Sequence, residues 1–205
     1  MSESSHGAGP AMTKPQVRRL LRRRLAAIRQ ETRQQAAEAA AARLLALPEW
    51  RAASTIMLYL ALPDELETAA LFERALADLK HVVVPRITDT DEHHMVAVEI
   101  RSLSPDDLRS DHFGVRVPGG EPPEAPLDGI DFIVVPGLGF SRSGDRIGRG
   151  KGYYDRFLAS PGLRAITCGF AFDEQVLDAL PADPHDRRLD LLVTPGDVLR
   201  FGAGA

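Results

Sequence analysis

The stretch that most constrains this chain runs from Asp131 to Leu158, DFIVVPGLGFSRSGDRIGRGKGYYDRFL. Phe132-Ile133-Val134-Val135 is a short apolar run rich in β-branched residues, the pattern of a strand buried on both faces. Pro136 and Gly137 end it. The segment that follows carries Gly137, Gly139, Gly144, Gly148, Gly150 and Gly152, so an irregular loop is expected there rather than a regular element. Tyr153 to Leu158 then has the spacing of a helix, with Tyr154, Phe157 and Leu158 on one side. A strand, a glycine-rich loop and a helix start together aim backbone N–H groups and a positive helix end at an anion. Arg146, Arg149 and Lys151 stand among the glycines and supply formal positive charge. Phosphate is the guest this chemistry suits. The string is neither a P-loop, which closes on Gly-Lys-Ser/Thr, nor a dinucleotide-binding fingerprint.

With 205 residues, one domain is expected, residues 13–205, preceded by a disordered tail of small and polar residues over 1–12. A net charge of −4 argues against a general nucleic-acid binder while leaving room for a local basic site. Cys168 is the only cysteine, so no intramolecular disulfide and no thiolate metal cluster can form. No apolar run is long enough to span a bilayer, and the first residues lack the apolar core of a signal peptide. The cytoplasm is the default location.

Thr13-Lys14-Pro15-Gln16 reads as a helix start, with Thr13 as N-cap and Gln16 closing a capping box. Val17, Leu20, Leu21, Leu25 and Ile28 form its apolar stripe, and Arg18, Arg19, Arg22, Arg23 and Arg29 its basic face. A second, alanine-rich helix covers Glu31 to Leu47 and ends at Pro48. Thr55–Leu60 is predicted as a strand, Pro63–Thr68 as a loop, Ala69–Leu79 as a helix capped by Thr68, and His81–Pro85 as a strand. This order suggests a right-handed βαβ unit of a parallel sheet. Met95–Ile100, Leu163–Phe170 and Leu189–Thr194 are further predicted strands, with a short helix starting at Phe172-Asp173-Glu174-Gln175. Phe113–Pro126 reads as a surface connector. His93 and His94 are adjacent on an extended segment, point to opposite sides, and so do not share a metal.

Pro-Gly-Leu-Gly-Phe followed by Gly-Asp-Arg-Ile-Gly-Arg-Gly-Lys-Gly-Tyr-Tyr-Asp closely resembles the signature of the 5-formyltetrahydrofolate cyclo-ligase family. Two more stretches are similar to that family: Glu65-Leu66-Glu67-Thr68 after a strand, and the series Phe-x-Glu-Gln, Leu-Pro and His-Asp near the C-terminus. The resemblance runs from Lys14 to Thr194 and implies an α/β fold, a three-layer α/β/α sandwich on a largely parallel sheet, acting as a monomer. It implies ATP and Mg2+ as cofactors, and small-molecule substrates with no nucleic acid or membrane partner. ATP contacts would come from Lys14 and Arg18, one helical turn apart, and from Arg146, Gly148, Arg149, Gly150, Lys151, Gly152, Tyr153 and Tyr154. Lys14, Arg146, Arg149 and Lys151 are the catalytic cations in this reading. Folate contacts would come from Leu60, Glu65 and the run Arg149 to Tyr153, and magnesium from Asp155 and Asp186. Which tyrosine faces the pterin and which the adenine stays open. The implied reaction is ATP-dependent ring closure of 5-formyltetrahydrofolate to 5,10-methenyltetrahydrofolate through a phosphorylated formyl group, releasing ADP and phosphate. From the residues alone, two other classes remain: a sugar-phosphate isomerase using the loop as an anion cradle, and a nucleic-acid module using the arginine-rich helix.

Overall fold

The computed structural model describes residues 12–110, 116–181, 183 and 187–201. Three helices come first, α1 (Lys14–Ala27), α2 (Gln30–Ala46) and α3 (Pro48–Ala52). They lead into β1 (Thr55–Met57), α4 (Ala69–Ala77), β2 (His81–Asp89) and β3 (His94–Glu99). A two-stranded ribbon, β4 (Leu108–Ser110) and β5 (Arg116–Pro118), precedes β6 (Phe132–Val135). The chain continues through β7 (Gly139–Ser141), β8 (Arg146–Ile147), α5 (Tyr153–Leu158) and β9 (Ile166–Phe170). It ends with β10 (Val176–Leu177), β11 (Leu191–Val193) and β12 (Val198–Arg200).

All four residues of β6 are buried because the strand lies mid-sheet, in the order β12-β11-β9-β6-β1-β2-β3. The strands β11, β9, β6, β1 and β2 run parallel, and the two edges, β12 and β3, are antiparallel. Alternate residues feed two separate cores, as strand geometry requires. Phe132 and Val134 join Ile56, Val82, Leu191 and the apolar faces of α1, α2 and α4 on one side. Ile133 and Val135 join Met57, Val83, Leu192 and the α5 residues Phe157 and Leu158 on the other. Helices therefore cover both faces, which is the expected three-layer α/β/α arrangement, with α5 and its flanking coil as the thin layer. Trp50 is buried edge-on to Phe132, with ring centroids 6.0 Å apart, and acts as an apolar anchor between α3 and the sheet.

The capping box predicted for α1 is present, with the Thr13 amide donating to Gln16 Oε1 at 2.8 Å. Val17, Leu21 and Leu25 are buried, each contributing roughly 1.5–3 kcal/mol relative to exposure. Leu21 docks so closely on Gly139 that a Cβ there would lie 2.3 Å from the leucine Cδ1. A side chain at position 139 would force the buried Leu21 side chain out of its present place.

Several boundaries differ from the sequence reading, each for a local reason. β1 stops at Met57, although the Leu58 amide still reaches Val83 O at 2.9 Å, because the chain then turns into the 58–68 loop. Pro48 ends α2 but also starts α3, where its missing N–H costs nothing. Thr68 does not cap α4. Its hydroxyl donates to Tyr59 O at 2.7 Å, and the Glu67 carboxylate accepts from the amides of Thr68 and Ala69 at 3.0 and 3.2 Å instead. The Phe172–Gln175 segment is a single 3-10 turn followed by β10 rather than a longer helix. The glycine-rich stretch is more regular than expected. β7 and β8 form a hairpin within it, and β10 adds a third strand. Of the 1–12 tail, only Met12 lies among the described residues, and it is exposed.

Candidate active site

Three segments converge at the carboxyl ends of β1 and β6, the side on which parallel sheets bind ligands. They are the first turns of α1, the glycine-rich segment after β6, and the loop from Leu58 to Thr68. Arg18 links the first two, its Nε donating to Gly148 O at 2.9 Å. Gly150 has φ +104° and lies under that guanidinium, a backbone shape that a side chain would strain. Lys14 is held at the same end of α1 by an ion pair with Asp183, 2.6 Å from Nζ to Oδ2.

The near end of the glycine-rich segment is braced. Gln175 is buried, and its Nε2 donates to Gly137 O and Leu138 O at 2.7 and 3.2 Å. At the β7–β8 turn, Asp145 accepts from Ser143, Ser141 and Arg188. Burial pushes its carboxyl up, but those hydroxyls and the guanidinium outweigh it and hold the group below its ordinary range. Arg146 is buried, donates to Pro136 O at 3.2 Å, and pairs with Asp155 in the first turn of α5. Its guanidinium lies over the Tyr154 ring, 5.8 Å from the centroid. The Tyr154 hydroxyl is buried with no hydrogen-bond partner among the described residues, and burial pushes the phenol far up.

The far end is open. Gly152 is the N-cap of α5, and Lys151 is exposed with no ion pair among the described residues. Arg149 crosses to the loop after β1. Its NH2 donates to Asp64 Oδ1 at 2.5 Å and to Glu65 Oε1 at 3.1 Å, and its Nε donates to Glu65 Oε1 at 3.2 Å. Glu65 is mostly buried, and its second oxygen accepts from the Leu62 amide at 3.0 Å. Burial raises the Glu65 carboxyl above its ordinary value, against the pull of the Leu62 amide and Arg149. Leu60 is buried within this loop, and Tyr153 meets the His93 ring at 5.4 Å.

Arg18, Arg19, Arg22, Arg23, Arg149 and Gly150 line an open groove of about 660 Å3 beside the loop. A second groove, about 650 Å3, runs past Glu65, Glu67 and Arg33 toward Phe172. Described residues include no group of three or more His, Cys, Asp or Glu arranged to hold a metal. Asp155 nevertheless fits one magnesium ligand, because Arg146 takes only Oδ1 and the side chain is 43% exposed. Asp186, the second carboxylate expected for magnesium, lies outside the described residues.

The structure thus brings Arg18, Arg149 and Gly150 around one opening, with Gly148 bonded to Arg18 and Glu65 to Arg149, while Lys14 is paired with Asp183 at the start of α1 and Lys151 is exposed at the far end of the loop. It sets Arg146 beneath that opening instead of on its surface. Sequence reasoning missed Asp64, the shortest partner of Arg149, and Gln175 as the brace of the Pro-Gly turn. A carboxylate next to Glu65 and a glutamine in the Phe-x-Glu-Gln element were the signals present.

The sequence pattern of the 5-formyltetrahydrofolate cyclo-ligase family matches residues 10–195. The mouse 5-formyltetrahydrofolate cyclo-ligase is 31% identical over 182 residues, covering 85% of this chain and 89% of the mouse protein. The Escherichia coli K12 enzyme of the same name is 27% identical over 181 residues, covering 87% of this chain and 98% of its own. The solution structure of Aquifex aeolicus 5,10-methenyltetrahydrofolate synthetase superposes with a TM-score of 0.80 at 31% identity, covering 95% of each chain. No helix among the described residues is long and apolar enough to cross a membrane. A match across nearly the whole chain, with the motif-bearing segments meeting at one opening, places this protein in the 5-formyltetrahydrofolate cyclo-ligase family, a family of ligases.

Proposed function

We propose that this chain closes the ring of 5-formyltetrahydrofolate to give 5,10-methenyltetrahydrofolate, using Mg-ATP and releasing ADP and phosphate. The observation that carries this reading is the contact of Arg149 with Glu65, which joins the phosphate-type loop to the loop that resembles the folate side of the family. The Aquifex aeolicus relative is a 5,10-methenyltetrahydrofolate synthetase, and the same activity suits these residues.

A formamide oxygen is a poor leaving group, so ring closure needs it converted to a phosphate ester. The formyl oxygen attacks the γ-phosphorus of ATP, the bond to the β-phosphate oxygen breaks, and ADP departs. The second folate nitrogen then attacks the activated carbon, the carbon–oxygen bond breaks, and phosphate leaves with the original formyl oxygen. The nitrogen loses its proton as the product cation forms. Neither step requires a nucleophilic side chain; both require alignment and charge neutralisation. Lys14, Arg18 and Lys151 neutralise the phosphate chain, while the amides from Gly148 to Gly152 act as fixed dipoles. Arg149 stands between the two substrates. Glu65 accepts N–H donors of the folate, Leu60 packs against it, and Tyr153 offers a ring face. Asp155 and Asp186 would hold magnesium, which supplies charge neutralisation on the phosphate oxygens. Arg146 keeps Asp155 and Tyr154 in place from beneath.

The test is the absorbance of methenyltetrahydrofolate formed from 5-formyltetrahydrofolate by the purified protein. Product should appear only with both ATP and magnesium, with one ADP released for each molecule closed. Equal turnover without nucleotide would overturn the reading.

A further inference from the structure

Glu65 is the acid assigned to the folate, yet the protein's own donors take up most of its acceptor capacity. Oε1 accepts twice from Arg149, from Nε at 3.2 Å and from Nη2 at 3.1 Å. Oε2 accepts from the Leu62 amide at 3.0 Å. An ionised carboxylate offers about four lone-pair sites, two on each oxygen. Among the described residues Arg149 therefore saturates Oε1, and the capacity that remains is on Oε2. A pterin ring presents its amino group and the adjacent ring N–H side by side. Pairing both with Glu65 takes an acceptor site on each oxygen, and Oε1 has none to give while Arg149 holds it.

The two partners of Glu65 differ in kind. The Leu62 amide belongs to the loop itself, where the Glu65 amide donates back to Leu62 O at 2.9 Å. On the other side of Glu65, the Tyr59 hydroxyl donates to Leu66 O at 2.8 Å and the Thr68 hydroxyl to Tyr59 O at 2.7 Å. The backbone is thus pinned on both sides, and Oε2 stays committed to Leu62. Arg149 comes from a separate segment, on a long side chain that is 35% exposed. It shares Nη2 with Asp64 at 2.5 Å, and the same side chain lines the cationic groove with Arg18, Arg19, Arg22 and Arg23. It stands at the boundary of two surfaces, loop carboxylates on one side and a groove suited to phosphate on the other.

We propose that the Arg149–Glu65 pair is a latch on the folate side, opened when Arg149 turns to the phosphate chain of bound nucleotide. The inference rests on the cyclo-ligase reading of the site. Phosphate in the groove draws the guanidinium off Oε1, and folate N–H donors on Glu65 release the guanidinium to the phosphates. Burial makes this an exchange rather than a simple opening. A carboxylate only 11% exposed that loses its cation has to gain other donors, because burial penalises the unpaired charge. Each substrate therefore helps the other to bind, and linkage makes the factor the same in both directions.

Calorimetric titration tests this by measuring 5-formyltetrahydrofolate binding with and without saturating magnesium and the β,γ-imido analogue of ATP, which cannot transfer its phosphoryl group. In wild type the analogue should tighten folate by about five- to fiftyfold, and folate should tighten the analogue equally. In Arg149→Ala, with its fold checked by thermal melting, the factor should fall to within about twofold. The wild-type titration is decisive without any variant: both ligands bound with no coupling would overturn the latch and leave the cyclo-ligase reading standing. Full coupling in Arg149→Ala would also overturn it. Wild type that binds neither ligand would fell the cyclo-ligase reading and the latch together.

Discussion

Arg146 and Arg149 sit in one glycine-rich segment, yet they occupy opposite environments. The Arg146 side chain is 5% exposed and tied to Pro136, Asp155 and the Tyr154 ring. The Arg149 side chain is 35% exposed and, among the described residues, is held by carboxylates from another loop. The same division runs through their neighbours. From Gly137 to Ile147 the segment is a hairpin pinned by Gln175 and by the hydrogen bonds of Asp145. From Gly148 to Gly152 it is open, touched by Arg18 and edged by Lys151. A high glycine content thus serves two purposes here. Toward β6 it allows close approach, as where Leu21 docks on Gly139; toward α5 it admits positive φ at Gly150 and Gly152.

The largest effect that sharpens this contrast is expected from Arg146→Ala. It strands the Pro136 carbonyl, leaves Asp155 without its cation and removes the guanidinium from Tyr154. Asp155 is partly exposed, so solvent offsets part of the loss, and about 2–3 kcal/mol of stability should go. Thermal melting should show a drop of roughly 4–12 °C, with turnover falling as well. Lys151→Ala is the counterpart at the open end. Turnover should fall by about a hundredfold, a loss typical of a charge neutralised only in a phosphoryl-transfer site, while stability changes within about 0.5 kcal/mol. Full turnover in Lys151→Ala would return that lysine to the solvated surface.

Glu65→Gln separates ligand binding from folding. Losing a charge-assisted hydrogen bond should weaken folate by about tenfold to a hundredfold and leave ATP nearly unchanged, as calorimetric titration would record. Stability should move the other way. Because the folded carboxyl is raised, its folded state holds the proton more tightly, and stability falls as pH rises from the unfolded value of 4.5 through the folded one. The glutamine variant should therefore melt higher than wild type at neutral pH, with the gap closing toward acid. A gap that widened toward acid would reverse the assignment of burial as the dominant cause. The smallest effect is Glu67→Ala, which removes the acceptor for the first amides of α4 and should cost about 0.5–1 kcal/mol with unchanged turnover.

The sheet was legible because β6, β2 and β9 are apolar runs bounded by turn residues, and the α1 stripe has clean helical spacing. Antiparallel β12 was not, since Val198-Leu199-Arg200 is a short edge strand defined by its pairing with β11. The hairpin of β7 and β8 was hidden for a related reason. Glycine and serine carry no strand propensity, and the hairpin owes its shape to Gln175 and Asp145, which meet it from other parts of the chain or across its turn. At the site, residue types and motif spacing marked the cations but could not separate a buried arginine from an exposed one. That difference depends on Asp155 and Asp64, partners that only the folded chain brings into range.

The central claim is that the open end of the loop delivers the γ-phosphoryl group of ATP to the formyl oxygen. Turnover of 5-formyltetrahydrofolate carrying a heavy oxygen isotope in its formyl group tests this directly, by following that atom into the products. The account predicts the label in inorganic phosphate, in step with methenyl product and ADP. Label recovered in water, with unlabelled phosphate, would contradict it.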